Sequence, residues 1–182
     1  MRKNSSSHKN LNITYIHKLS MRTLSGPEEL EAIRYFTKAA EVALSSSCLR
    51  AKSGSVIVKD GEIIGKGYNS PPGDRPLEHC LKDDLPDTFK SDKTCCIHAE
   101  QRAIFDALTR NSKKIQGSRI YFVRLDENDT IVKAGEPYCT ICSKSALDVG
   151  IEEYVLWHEE GITVYNTDEY NDLSFRAKKH QR

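Results

Sequence analysis

Hydrophobic positions first recur at helical spacing over residues 28–46, where Leu30, Ile33, Phe36 or Thr37, Ala40, and Ala43 or Leu44 share one side of a helix. Ser25 stands where a cap would, and Glu28 three residues on completes the pattern of a capping box. The period then drops to two. Ser55–Lys59 and Glu62–Gly67 are rich in Val and Ile, and Asp60-Gly61 between them supplies the tight turn that suits a twisted hairpin. Residues 70–95 have no period, only four prolines and several acids, and a loop of that length usually serves a function. A second helix is predicted over 98–110, burying Ala99, Ala103 and Leu108 or a neighbouring face. The nearly apolar Arg119–Leu125 reads as a central strand, with a brief extension at Ile131–Lys133. A third helix, Thr140–Val149, stops at Gly150, and strands follow at Ile151–Trp157 and Gly161–Tyr165. DEYNDLSFRAKKHQR at the end reads as a short helix or tail. The order α-β-β-α-β-α-β-β predicts an α/β fold with a mixed central sheet of about five strands and helices on both faces.

Composition places this pattern in one domain, since 182 residues can bury a core without disulfides. Net charge is only +1, but residues 1–23 carry five Lys/Arg and no acid, residues 172–182 four against one, and residues 24–171 18 against 25. The expected organisation is a basic N-terminal arm over 1–24, a domain over 25–170 and a basic tail over 171–182. An acidic body argues against nucleic acid as the main partner, while the tails and Tyr68, Tyr138, Trp157, Tyr165 and Tyr170 keep an exposed-base binder open. Six irregularly spaced cysteines do not resemble a secreted disulfide framework. The start lacks the apolar core of a signal peptide, and no run of 18 apolar residues could cross a membrane. A cytoplasmic protein with reduced thiols, and no membrane partner, is expected.

The chemistry concentrates at two predicted helix starts. Cys139 and Cys142 are one turn apart on one helix face, where the helix N-terminus favours thiolates. Such a pair alone also fits a redox couple or a structural knuckle, but no thioredoxin-like context and no second CxxC accompany it. His98 opens the other helix, and Glu100 follows in a stretch otherwise suited to burial, IHAEQRAIFDAL. A core-facing carboxylate costs several kcal/mol unless it has a partner or a task. One imidazole, two thiols and a free carboxylate are the parts of a zinc site that keeps a position open for water.

At His98-Ala99-Glu100 and Pro137-Tyr138-Cys139-Thr140-Ile141-Cys142 the chain resembles the zinc-dependent cytidine/deoxycytidylate deaminase superfamily, with its signature H-x-E…P-C-x-x-C. It departs by one residue, because Tyr138 separates the proline from the first cysteine. VIVKDGEIIGKGYNSPPGDRPLEHC followed by CCIHAE is most similar to the deoxycytidylate deaminase branch. The resemblance implies a three-layer α/β/α cytidine-deaminase-like fold, Zn2+ at His98, Cys139 and Cys142, and Glu100 as the proton carrier. It also implies substrate contacts at Asn69, Ala99, Pro137 and Tyr138, with Asn69 on a sugar hydroxyl. A second, structural zinc that some of these enzymes carry would draw on His79, Cys80, Cys95 and Cys96. The implied substrate is a small nucleotide or nucleoside, best dCMP, with Arg50, Arg75 or Arg102 meeting the phosphate, in a homo-oligomer. Three other readings stay open: a nucleic-acid or tRNA/base editor, a purine deaminase, and a binding protein that keeps the metal without turnover. The segment WHEEGITVYNTDEYNDLSFR offers little periodic length, so the end of the chain is expected to lack the full helix of that branch and to be more like the smaller cytidine deaminases.

Overall fold

The computed structural model describes residues 21–86 and 95–177. The expected N-terminal arm up to Ser20, loop residues 87–94 and the last five residues lie outside this description. Along the chain come β1 (Arg22–Thr23), α1 (Gly26–Ala43), β2 (Lys52–Lys59), β3 (Glu62–Tyr68), α2 (Ala99–Asn111), β4 (Arg119–Leu125) and β5 (Ile131–Val132). They are followed by α3 (Thr140–Asp148), β6 (Glu153–His158), β7 (Gly161–Asn166) and α4 (Thr167–Arg176). The described strands form one sheet in the order β1-β7-β6-β4-β2-β3, with β5 attached to β4. Seven strands replace the five expected, because β1 and β5 have two residues each and are too short for a period to show. Only β4 and β6 run parallel, with α3 as the crossover between them, so the sheet is mixed.

Alternation along the strands divides the core in two. Val56, Val58, Tyr121, Val123, Val155, Ile162 and Val164 face α1, whereas Ile57, Ile120, Tyr154 and Leu156 face α2, α3 and α4. The result is the three-layer α/β/α architecture that the resemblance implied. In the hairpin, Asp60 and Gly61 both adopt positive φ, 50° and 79°, as a two-residue turn of this hand requires.

The helices bury faces turned slightly from the expected ones: Phe36, Ala43, Ala99 and Ala103 are inside as expected, but the leucines are not. The stripe of α1 on the sheet is Ala32, Phe36, Ala39 and Ala43, while Leu30 and Leu44 are 66% and 53% exposed. On α2 the buried set is Ala99, Glu100, Ala103, Ile104 and Ala107, and Leu108 is turned out. The reason is close approach: a Cβ on Gly54 would lie 2.0 Å from the Ala39 carbonyl, and one on Gly67 2.2 Å from the Ala99 carbonyl. Alanine-faced helices sit directly on hairpin glycines, so small residues, not leucines, mark the contact. The capping box is also absent. Ser25 is the N-cap residue with extended backbone, but its hydroxyl makes no cap bond, and Glu28 turns instead to Arg22 at 2.7 Å and Arg119 at 3.2 Å. At the end of the chain, where a short helix or tail was expected, Thr167–Arg176 forms α4, a helix of ten residues that buries Tyr170.

Candidate active site

The start of α2 is held in place from two sides. Gly65 and Gly67 let α2 lie against β3, and the Ile97 N–H donates to the Ser70 carbonyl at 2.9 Å, tying the residue before His98 to the end of the hairpin. His98 is the N-cap of α2, with its N–H donating to Gln101 Oε1 at 3.3 Å. Cys139 is the N-cap of α3, its sulfur accepting from the Cys142 N–H at 3.4 Å. These two helix starts face each other. His98 Nδ1 lies 3.2 Å from Cys142 Sγ and 3.3 Å from Cys139 Sγ, and the sulfurs are 3.2 Å apart. Among the described residues this is the one group of three or more His, Cys, Asp or Glu donors gathered within 4.8 Å.

The donor set fits zinc. A tetrahedral ion with Zn–S near 2.3 Å and Zn–N near 2.0 Å separates its ligands by roughly 3.5–3.8 Å. The triangle therefore needs to open by only a few tenths of an ångström, and three protein donors leave a fourth position free. Without metal the triad is a proton-sharing cluster. The bonds from Cys142 and His98 bring Cys139 down to about 4, and the same Cys139 contact raises His98 to about 8. The Cys142 thiol is pushed well up by Cys139 and by burial.

Glu100 occupies the first turn of α2 and is 5% exposed. Burial, and next the charge of Cys139, raise its carboxyl to about 7, and Cys142 is within its hydrogen-bonding reach. It is thus an acid that can hold or release a proton near neutrality, beside a metal-ligand set to which it does not belong.

The remaining expected positions divide. Pro137 is buried next to the cluster, Ala99 is fully buried, and Tyr138 is 45% exposed. Asn69 uses most of its amide internally: its oxygen accepts from Ser46 Oγ at 2.8 Å and Ser53 N at 2.7 Å, and its nitrogen donates to the Ala51 carbonyl at 2.8 Å. One amide hydrogen remains for another partner. Of the three arginines, Arg50 pairs with Asp83, and Arg102 bonds the Pro71 carbonyl at 3.0 Å and Asp74 at 3.2 Å while lying over the Tyr68 ring. His79 pairs with Asp84 at 3.0 Å on the surface, away from the thiols. Cys80 and Cys95 do meet, at 2.9 Å, and Cys96 bonds both Cys95 and Cys48. Cys48, which sequence reasoning passed over, belongs to the segment just before β2, far in sequence from the others. Two further residues were missed. Tyr170 stacks on Tyr154 at 3.9 Å, and Asn171 Oδ1 accepts from Ser143 Oγ at 2.8 Å, directly behind the Cys139–Cys142 turn. The spacing Thr167, Tyr170, Ser174 was the available signal, a buried stripe too polar to stand out.

An α/β/α domain that gathers an N-cap histidine and a CxxC pair beside a buried carboxylic acid has the fold and donor set that the resemblance implied. The chain belongs to the cytidine and deoxycytidylate deaminase family, whose zinc-binding region matches residues 30–158. It is 33% identical over 127 residues to a deoxycytidylate deaminase of Saccharomyces cerevisiae, covering 66% of this chain and 36% of that one. A deoxycytidylate deaminase of Schizosaccharomyces pombe is 28% identical over 151 residues, covering 79% and 40%. The chain therefore spans well under half the length of these two relatives. Among solved structures, a dCMP deaminase of cyanophage S-TIM5, in complex with dCMP and dUMP, superposes with a TM-score of 0.50 at 26% identity. That match covers 72% of this chain and 82% of the phage protein.

Proposed function

We propose that this protein is a zinc-dependent hydrolase that converts dCMP to dUMP with release of ammonia. The observation that carries this reading is Glu100, a buried carboxyl beside the His98, Cys139 and Cys142 donors. These three would hold the ion through the imidazole and two sulfurs. When bound, zinc supplies the Lewis acidity that activates a water. Glu100 moves the protons: one from the water to the ring nitrogen beside the amino-bearing carbon, a second to the departing amine. The water's oxygen ends in the uracil carbonyl, and its two protons are divided between the ring and ammonia. Asn69 contributes its remaining amide hydrogen to the sugar, and Ala99, Pro137 and Tyr138 line the base. Arg75 has no ion pair among the described residues and is assigned to the phosphate, since Arg50 and Arg102 are already paired. The dCMP bound in the phage relative supports this substrate class.

The catalytic unit is proposed to begin at Ser25 and to extend past residue 170 to Arg176, because α4 is continuous there. A second, structural zinc is assigned to Cys48, Cys80, Cys95 and Cys96, with Cys48 in place of His79. The four thiols form a string, Cys80–Cys95–Cys96–Cys48, that would have to draw together to hold an ion. All six cysteines are free, which supports a reducing cytoplasmic setting, and no described helix is long and apolar enough to cross a membrane. Phe105 and Leu108 on the outer face of α2, 53% and 41% exposed, support assembly with further copies.

The deciding measurement is ammonia release from cytidine, deoxycytidine, their monophosphates, guanine, adenosine, and short single-stranded DNA and RNA. dCMP should give the highest kcat/KM, with its advantage over deoxycytidine shrinking as salt rises. Equal kcat/KM for deoxycytidine and dCMP at low salt would defeat the nucleotide assignment. Activity confined to an oligonucleotide would defeat the free-substrate class.

A further inference from the structure

α4 lies beyond residues 30–158, the span matched to the family, yet it reaches the residues on both sides of the metal-ligating pair. Tyr138 immediately precedes Cys139, and Ser143 immediately follows Cys142. Ser143 is fully buried, and its hydroxyl donates to Asn171 Oδ1 at 2.8 Å. Tyr170, 4% exposed, stacks at 3.9 Å and 18° on the fully buried Tyr154, which fixes the plane of its ring. Its hydroxyl, held at the edge of that stack, is within reach of the Tyr138 backbone N–H. Consecutive residues of one helix therefore grip the two ends of the Cys139–Cys142 turn.

We propose that Tyr170 and Asn171 are positioning residues that clamp this turn from behind and set the angle at which its two sulfurs meet the metal. A consequence follows for the extra residue Tyr138. The Pro137–Tyr138 peptide is trans, so its carbonyl points opposite to its N–H. Drawing the N–H toward Tyr170 directs the Pro137 carbonyl away from α4, to the side where the deaminase reading places the base. The clamp thus compensates for the one-residue departure between Pro137 and Cys139. In so far as it concerns catalysis, this inference rests on the reading of the preceding subsection, and groups that fix metal ligands from behind are worth about 10- to 100-fold in affinity or activity.

The test uses the full chain with cobalt(II) in place of zinc, whose visible bands report the geometry of bound sulfur, alongside kinetics of the zinc form. Tyr170→Phe keeps the stacked ring and removes one hydroxyl. Tyr154→Phe is the matched control, because its buried hydroxyl has no hydrogen-bond partner. Tyr170→Phe should shift the cobalt bands and lower kcat on dCMP about tenfold or more, with KM changed far less. Tyr154→Phe should leave bands and kcat as in the unaltered protein. A Tyr170→Phe protein with the parent spectrum and parent kcat would overturn the inference, as would equal shifts in both variants. Should Tyr170→Phe not fold, Asn171→Ala is read by the same bands, and an unchanged spectrum there overturns the clamp. If the unaltered protein released no ammonia from dCMP while the Tyr170→Phe bands still moved, the clamp would stand and the deaminase reading would fall.

Discussion

A carboxyl at Glu100 that is 5% exposed is tolerated only because its proton has somewhere to go, and its replacement separates shape from chemistry. Glu100→Gln should keep the fold and the metal content while lowering turnover by about 10²-fold or more, read as ammonia release per bound zinc. The triad makes a second prediction, for metal uptake. At pH 7 in the metal-free protein Cys139 is already a thiolate, whereas His98, raised to about 8, and Cys142, raised well above the usual thiol value, still carry protons. Zinc requires neutral imidazole and thiolates, so its binding should release roughly two protons at pH 7 and tighten as pH rises. Above about 8 His98 has lost its proton in advance, and the release should fall toward one. Calorimetric titrations in buffers of different ionisation enthalpy give this count directly. These residues were legible in the sequence because helix starts fix their spacing: His98 and Glu100 two apart, Cys139 and Cys142 one turn apart. Arg50, Arg102 and His79 were not, because their partners Asp83, Asp74 and Asp84 lie in the aperiodic loop.

Elements meet here through small residues. Gly54 lies under α1 and Gly65 and Gly67 under α2, and the alanines above them do the packing. Gly67→Ala would place a methyl carbon 2.2 Å from the Ala99 carbonyl and 2.3 Å from the Ala103 nitrogen, both backbone atoms that cannot turn aside. It should lower stability by about 1–3 kcal/mol in denaturant unfolding, and, by lifting the start of α2, weaken zinc retention in a chelator competition. Gly61→Asn, in the open hairpin turn at φ 79°, should be nearly silent in both measurements. The same geometry explains how the helices were found while the edges of their buried faces were misread. Periodicity located α1 and α2, but a hydrophobicity pattern gives weight to Leu30, Leu44 and Leu108, and the sheet admits only Ala at its closest points. Glu28 was lost from its expected cap to Arg22 and Arg119 for a comparable reason: ion pairs across β1 and β4 have no local signature. α4 was read only as a short helix or tail, with no face assigned, because Thr167, Glu169, Tyr170 and Ser174 make a buried face that is mostly polar.

For the whole molecule, the element order was sufficient to place helices on both sides of a mixed sheet, since a hairpin followed by βα units has few ways to close. What it could not supply was β1, or the pairing of the short Ile131–Lys133 extension with β4 as β5, since two-residue pairings depend on where the neighbouring strands end. The metal centre spans the two halves of this architecture. His98 stands 41 residues before Cys139 and 44 before Cys142, so an ion held by all three closes a chain loop between α2 and α3. By analogy with a covalent cross-link over such a loop, closure contributes on the order of 4 kcal/mol against the unfolded chain. Chelation should therefore depress Tm strongly, and in Glu100→Gln as much as in the unaltered protein, because the link is independent of turnover. Once unclasped, the exposed segment from Asp126 to Thr130 becomes the place where a protease can enter. With the ion removed, limited proteolysis is expected to cut there faster, so that the metal would govern how long each molecule survives as well as whether it works.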